Sequence, residues 1–146
     1  MKRSMTILMV LAMALVWSCL ALAEEKKPDA TLTLSEGSVA VGIGWSWGKG
    51  VLTYQGKPQH FKIKGLSLGE VGITKAEATG RVFNLKKLED FNGTYMAGTV
   101  EGTIAAGAGE TAMKNKKGVV IYLSPQTKGA NLKIAVEGVN FNLEKK

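Results

Sequence analysis

The amino-acid sequence predicts a mainly β protein: a small soluble antiparallel β-barrel of about eight to ten strands, with one short helix, after an N-terminal signal peptide. Three observations lead to this prediction. Most segments alternate apolar and polar residues with a period of two, turn-forming residues separate them, and several of the 18 glycines fall on the apolar parity. So many strands would leave bare edges in a flat open sheet, which favours closure into a barrel over a curled sandwich.

The first 23 residues have the pattern of a signal peptide. Lys2 and Arg3 provide the positive start, residues 5–22 form the apolar run, and Ala23 ends a small-x-small cleavage motif. We therefore expect export to the periplasm. Cys19 loosely resembles the cysteine of a bacterial lipoprotein box, so a lipoprotein anchored through it is the alternative.

The chain that follows the signal peptide is predicted to be one domain. Residues 24–30 form a charged, flexible leader, and residues 31–146 form the barrel domain. Without Lys2 and Arg3, 17 basic residues face 12 acidic ones, so the formal charge falls from +7 to +5. This mild charge permits peripheral contact with an anionic membrane, whereas export argues against a nucleic-acid partner.

Each predicted element follows from its local pattern. The expected strands are, in chain order, 31–35, 39–47, 51–54, 60–65, 76–82, 96–104, 119–123, 132–136 and 139–143. Turns are predicted at 55–58, 114–118, 124–129 and Gly138. Residues 84–93 read as a short helix or 3₁₀ turn with Asn84 as its N-cap. Glycines 80, 98 and 102 share the apolar parity of their strands and are expected to face inward, where they let a strand bend.

The segment 39–47 is predicted to be a single strand without charge on either face. The odd-numbered positions carry bulky side chains and end in Trp45 and Trp47, whereas the even-numbered positions carry small side chains. The small face leaves room for another strand, a second subunit or an acyl chain. Aromatic rings combine apolar area with a polar edge, which suits amphiphiles. The predicted ligand-binding residues are Gly42, Gly44, Trp45, Trp47 and Tyr54.

No catalytic residue, metal site or cofactor is predicted. His60 is the one histidine and falls on a polar parity beside lysines, which indicates an exposed side chain. One histidine, and no cysteine after signal removal, are too few ligands for most zinc sites. A hydrolase built on two carboxylates remains a remote alternative. The lysines at 114, 116 and 117 read as an exposed turn, with contact to anionic head groups as the functional alternative.

The chain resembles the small exported bacterial proteins typified by envelope integrity protein A. The resemblance covers most of the mature chain and thins towards the C-terminal strand at 118–123. A fainter likeness joins it to the SYLF lipid-binding domain. The residues that carry the main resemblance are Gly42-x-Gly44-Trp45, Gly50-x-Leu52-x-Tyr54, Lys64-Gly65-Leu66-Ser67, Val71-Gly72, Ala78-x-Gly80-x-Val82-x-Asn84-Leu85, Leu88-x-Asp90-Phe91 and Gly93-x-Tyr95.

This resemblance implies a periplasmic β-barrel that is needed for envelope integrity and has no established enzymatic activity. Together with the aromatic strand, it leads us to expect a non-enzymatic protein that binds a lipid or an envelope partner. The alternative is a homo-oligomer or a module that docks another envelope protein through the same surface.

Overall fold

The computed structural model describes residues 26–40, 44–68, 77–98, 109–126 and 132–145. These residues form ten strands and one 3₁₀ helix. The elements are β1 (Ala30–Ala40), β2 (Gly44–Tyr54), β3 (Lys57–Lys64), β4 (Leu66–Leu68), β5 (Ala78–Phe83), a 3₁₀ helix (Leu88–Phe91), β6 (Gly93–Ala97), β7 (Thr111–Lys114), β8 (Val120–Pro125), β9 (Leu132–Ile134) and β10 (Val139–Leu143).

Eight of these strands close into an antiparallel barrel, which confirms the predicted fold class. The order around the barrel is β1-β5-β8-β7-β6-β10-β3-β2, and β2 pairs again with β1. Closure satisfies the backbone hydrogen bonds that an open sheet would leave at its edges. The extra strands β4 and β9 pair with each other, and β4 also pairs with β2.

The extra strands continue two barrel strands beyond a bend. Gly65 separates β3 from β4 with a φ of 92°, a backbone conformation that favours glycine. The short loop between β9 and β10 lies opposite, since the Ala135 amide donates to the Gly65 carbonyl at 2.9 Å. Gly138 ends this loop with a φ of 90°. The two bends therefore direct β4 and β9 past the end of the barrel.

The described part of the barrel interior is filled with apolar side chains. Phe61, Phe91, Tyr95 and Phe141 form an aromatic cluster whose nearest ring centroids lie 5.0 Å apart, between Tyr95 and Phe141. Phe91 comes from the 3₁₀ helix and is fully buried, so the helix closes this end of the barrel. Burying a side chain of this size contributes about 1.5–3 kcal/mol.

Tight connections close the same end of the barrel. Gln55 and Gly56 link β2 to β3 with φ values of 50° and 75°, the pattern of a type I′ hairpin turn. The Asp29 carboxylate accepts a 3.0 Å hydrogen bond from the amide of Leu85, which ties the chain before β1 to the segment after β5. The connections at the other end of the barrel fall largely outside the described residues.

Two strand predictions were wrong because the hairpin at 39–47 was missed. Ala40 pairs with Gly44, so the chain reverses within this segment and 39–47 belongs to two strands. The alternation hid the turn, since the segment lacks the polar residues typical of one. Residues 41–43 lie outside the described residues. The predicted separation of strands 39–47 and 51–54 is also wrong, because β2 runs without interruption through residues 48–50.

The prediction for 96–104 had the wrong face inward. Tyr95 is fully buried, whereas Met96 is 51% exposed and β6 ends at Ala97. The Tyr95 ring packs into the aromatic cluster, so the odd-numbered positions of β6 face inward instead of the even-numbered ones. A Cβ added at Gly98 would consequently have no described atom within 4 Å. Gly102 lies outside the described residues.

Gly80, by contrast, faces inward as predicted. A Cβ there would lie 2.8 Å from Leu32 Cγ and 2.9 Å from Leu123 Cδ2. The predicted N-cap role of Asn84 was wrong, because the 3₁₀ helix begins only at Leu88. Asn84 has a φ of 61° and its side chain instead donates to the Gly118 carbonyl.

The end of the predicted strand 132–136 was also wrong. The strand stops at Ile134, and Val136 is 97% exposed in the loop before β10. The bend that brings Ala135 against Gly65 interrupts the alternation at this point. Because of this bend, β9 ends two residues before the alternation of apolar and polar residues ends.

Candidate ligand-binding site

Four of the predicted ligand-binding residues lie on β2, and the face of this strand that points inward changes partway along it. The pairing of β1 with β2 shifts register on either side of Glu36, which lies opposite Lys49. Gly37 then pairs with Trp47, so Gly48 is an extra residue in β2. Such a bulge changes which parity faces the core. Trp47 therefore points inward, and so do Leu52 and Tyr54 on the other parity.

The structure does not bring the predicted residues together into one site. Trp47 and Tyr54 are seven residues apart on β2, roughly 23 Å at the usual rise of a strand. Tyr54 lies at the closed end, where its hydroxyl donates to the Lys86 carbonyl at 3.5 Å. Gly44 and Trp45 pair through their backbones with the end of β1, and Gly42 lies outside the described residues.

Trp47 has one unusual property among these residues. Its side chain is 2% exposed, and its indole Nε1 has no hydrogen-bond partner among the described residues. Buried indole N–H groups usually find an acceptor, and an unpaired donor costs about 1–3 kcal/mol. No described cavity adjoins this nitrogen. Trp47 is therefore a core residue whose N–H donor has no partner among the described residues.

A surface groove runs along the pair of strands β6 and β7. Its volume is about 580 Å³, and its lining residues are Thr94, Met96, Ala97, Gly98, Lys114, Asn115 and Lys116. A second groove of about 290 Å³ shares three of these residues, Thr94, Asn115 and Lys116, and adds Lys117 at its rim. The two grooves are therefore neighbouring parts of one surface, which we call the basic groove.

The basic groove combines an apolar floor with a positive rim. Met96 pairs with Lys114 across the two strands, and both residues line the groove with exposed side chains. Lys114 and Lys116 form no ion pair with any residue that the structure describes, whereas Lys117 lies 3.7 Å from Asp90. Two lysines are thus available for an anionic group.

Sequence reasoning identifies half of this groove. The lysines at 114, 116 and 117 form a visible cluster in the sequence, but Thr94, Met96 and Ala97 do not stand out. Their contribution depends on Tyr95 turning inward, because Met96 then faces outward. That orientation depends on the contact of Tyr95 with Phe141 of β10, which the local sequence does not indicate.

The ionisable residues considered for catalysis occupy separate places. His60 is exposed, as predicted, on the outer face of β3. The Glu110 carboxylate accepts two hydrogen bonds from Arg81, at 2.8 and 3.1 Å, and Glu144 lies 3.9 Å from Lys62. Within the described ranges, no three His, Cys, Asp or Glu side chains gather in a metal-ligand arrangement.

Comparisons with known proteins identify no relative. No protein-family model, curated protein or solved structure matches the chain. In the part of the chain that the structure describes, no helix is long and apolar enough to cross a membrane. The geometry of the barrel surface is therefore the basis for a functional proposal.

Proposed function

We propose that this chain is a non-enzymatic periplasmic protein that supports the cell envelope by binding an anionic amphiphile, such as a lipid, in the basic groove. The observation that carries the proposal is an apolar floor bordered by lysines that have no ion-pair partner among the described residues. A molecule with an acyl chain and an anionic group matches both parts of this surface.

The size of the groove supports a ligand of this class. The larger of its two parts has a volume of about 580 Å³, within the range of small-molecule sites, about 300–1,000 Å³. The described interior of the barrel is packed, so the outer surface is the better location for an apolar chain. Met96 is unbranched and flexible, which lets its side chain adapt to chains of different shape.

The charges of the groove predict a binding mode that depends on salt. Lys114 and Lys116 are exposed, so their attraction to an anionic group is screened over about 10 Å at 0.1 M salt. Binding through the lysines alone would disappear at high salt. Binding that also buries the acyl chain against Met96 would weaken but persist.

Vesicle binding by the chain 24–146 tests this proposal. We expect binding to phosphatidylglycerol vesicles and little binding to phosphatidylcholine vesicles. The double variant Lys114→Gln/Lys116→Gln should lower the affinity at least fivefold. Lys57→Gln/Lys133→Gln removes the same charge from exposed positions away from the groove and should have a much smaller effect.

A second variant tests the apolar part of the groove. Met96→Ser keeps every lysine and should lower the binding that remains at high salt. The proposal is wrong if both lysine pairs lower affinity equally, since the total charge of the chain would then explain the attraction. It is also wrong if Met96→Ser has no effect on binding at any salt concentration.

The second candidate is a module that docks another copy or another envelope protein. Its supporting observation is an apolar cluster separate from the interior core, in which Phe83 of β5 and Tyr122 of β8 meet edge to face. Light scattering on the chain 24–146 separates the candidates. A monomer at all concentrations supports the amphiphile-binding role, whereas a dimer favours docking.

A further inference from the structure

Two large apolar side chains are exposed in the described part of the chain, and they belong to neighbouring segments. Met96 is half-exposed in the basic groove, and Val136 is almost fully exposed in the loop between β9 and β10. The end of this loop packs on Met96, because a Cβ added at Gly138 would lie 2.6 Å from the Met96 sulfur. The apolar floor of the groove therefore continues towards the loop that carries Val136.

The loop that carries Val136 is a tight turn with a fixed backbone. The Gly138 amide donates to the Ala135 carbonyl at 2.8 Å, which closes a β-turn with Val136 and Glu137 as its central residues. The Ala135 amide donates to the Gly65 carbonyl at 2.9 Å, so the turn is held against the bend between β3 and β4. We call residues 135–138 the valine turn. Its two hydrogen bonds present Val136 at the tip in a defined position.

Lysines lie on both sides of the valine turn. Lys64 directly precedes the bend that holds the turn, and its exposed side chain lies on the outer face of β3. Lys64 pairs with Asn140, whose side chain donates to Thr94 of the basic groove at 3.1 Å. On the other side, Lys114 pairs with Met96. Lys114 is two strand spacings of about 4.8 Å from β10, and therefore roughly 10 Å from the turn.

Positive charge exceeds negative charge around the valine turn. Lys64, like Lys114 and Lys116, forms no ion pair with a residue that the structure describes. Glu137 of the turn carries a single negative charge against these three lysines. An exposed apolar tip bordered by lysines matches the surface of an anionic bilayer, where apolar side chains enter the acyl-chain boundary and ammonium groups contact the head groups.

We propose that the valine turn docks this protein on the surface of an anionic bilayer, with Val136 inserted among the lipids and the basic groove open to the same surface. This proposal rests on the amphiphile-binding role proposed above, and it specifies that the ligand comes from a bilayer. Docking places Met96 beside the head-group region. A lipid can then enter the groove without exposing its acyl chains to water.

Fluorescence from a label on the turn tests the insertion. The chain 24–146 has no cysteine, so Val136→Cys can carry a single nitrobenzoxadiazole group. On phosphatidylglycerol vesicles its emission should shift to shorter wavelength, and nitroxide groups on the acyl chains should quench it. Thr53→Cys, on the exposed outer face of β2, is the matched control and should show neither change. An unchanged emission at position 136 on vesicles that bind the protein would overturn the proposal.

Substitution at the tip tests the turn without a label. Val136→Ser removes the apolar side chain at constant charge and should lower the affinity for phosphatidylglycerol vesicles at least fivefold. Val136→Trp should raise it at least threefold, because tryptophan favours the membrane interface. Thr53→Ser and Thr53→Trp are the matched controls and should stay within twofold of the parent chain. Circular dichroism verifies that each variant is folded, which the exposure of both positions favours.

A dispersed lipid separates bilayer contact from binding in the groove. Dihexanoylphosphatidylglycerol below its micelle concentration offers the same head group without a bilayer surface. Val136→Ser should bind this lipid as tightly as the parent chain, whereas Lys114→Gln/Lys116→Gln should bind it at least fivefold more weakly. If Val136→Ser lost the same affinity for dispersed lipid as for vesicles, the turn would be part of the groove and bilayer docking would be overturned.

The failure of this proposal and the failure of the proposed function give different results. Vesicle binding that is unchanged in Val136→Ser but weakened in Lys114→Gln/Lys116→Gln would overturn docking through the turn and support the groove. Full affinity of the lysine variant for the dispersed lipid would overturn the proposed function, since that measurement does not involve the turn. A dimer of the parent chain that is lost in Val136→Ser, as seen by light scattering, would assign the turn to a second copy and overturn bilayer docking.

Discussion

The Asn115 side-chain amide donates a 2.9 Å hydrogen bond to the Asp90 carbonyl, and this bond fastens the turn after β7 to the 3₁₀ helix that closes the barrel. The side-chain oxygen of Asn115 also accepts from the amides of Lys117 and Val119, both at 3.0 Å. Asn115 is 6% exposed. One buried amide therefore satisfies backbone groups from the turn and from the helix.

Replacing Asn115 should destabilise the barrel more than replacing an exposed asparagine. Asn115→Ala leaves two backbone amides and one carbonyl without their partner, which should lower the free energy of unfolding by about 3 kcal/mol. Asn140→Ala, on a less buried side chain of β10, is the control and should cost under about 1 kcal/mol. Urea unfolding measures both. Similar losses would mean that Asn115 does not secure the helix.

Tyr95 should make stability depend on alkaline pH. Burial raises the pKa of its phenol above the usual value, and the hydroxyl donates to the Phe91 carbonyl at 2.7 Å. The unfolded phenol ionises near a pH of about 10. The contribution of the neutral phenol is therefore complete below about pH 10 and is lost as the pH rises above that value towards the folded pKa.

The Tyr95→Phe variant isolates this effect from other titrations. At pH 7 it should lose about 1 kcal/mol, because the hydrogen bond to Phe91 is removed. The difference from the parent chain should then shrink between about pH 10 and about pH 11.5, as measured by denaturant unfolding. A difference that stays constant over this interval would show that Tyr95 does not ionise more readily in the unfolded chain.

Replacement by alanine should lower the stability of the protein at one glycine of β2 and have little effect at another. A Cβ at Gly50 would lie 2.5 Å from Phe61 Cζ and 2.8 Å from the Thr33 carbonyl oxygen, so Gly50→Ala should destabilise by about 1–3 kcal/mol. Gly48 has no described atom within 4 Å of that position, and Gly48→Ala is the matched control. Thermal unfolding compares them. Equal midpoints would contradict the inward position of Gly50.

Trp47 should tolerate loss of its indole nitrogen. Because Nε1 has no described acceptor, Trp47→Phe removes no hydrogen bond and should cost only the lost ring volume, about 1–2 kcal/mol. Leu52→Ala, at a fully buried position of the same strand, should cost about 2–5 kcal/mol. Urea unfolding provides the comparison. A larger loss at Trp47 than at Leu52 would indicate an acceptor for the indole nitrogen.

The candidate site was predictable only in part. A cluster of lysines at 114, 116 and 117 is visible in the sequence, but a groove requires Met96 to face outward beside Lys114. That orientation follows from the packing of Tyr95 against Phe141 in the aromatic cluster. These two rings belong to strands that are far apart in the chain, so no local pattern could indicate their contact.

The sequence by itself determined most of the strands, the short 3₁₀ segment and the closure of the sheet. Alternation sets which neighbouring side chains share a face, because successive residues of a strand point to opposite sides. The tertiary structure decided which face is inward. In β2 the bulge at Gly48 changes the inward positions from odd-numbered, as at Trp47, to even-numbered, as at Leu52. In β6 the Tyr95 ring packs inward, and Met96 therefore faces outward. Both choices depend on packing between distant strands, which a local period of two does not encode.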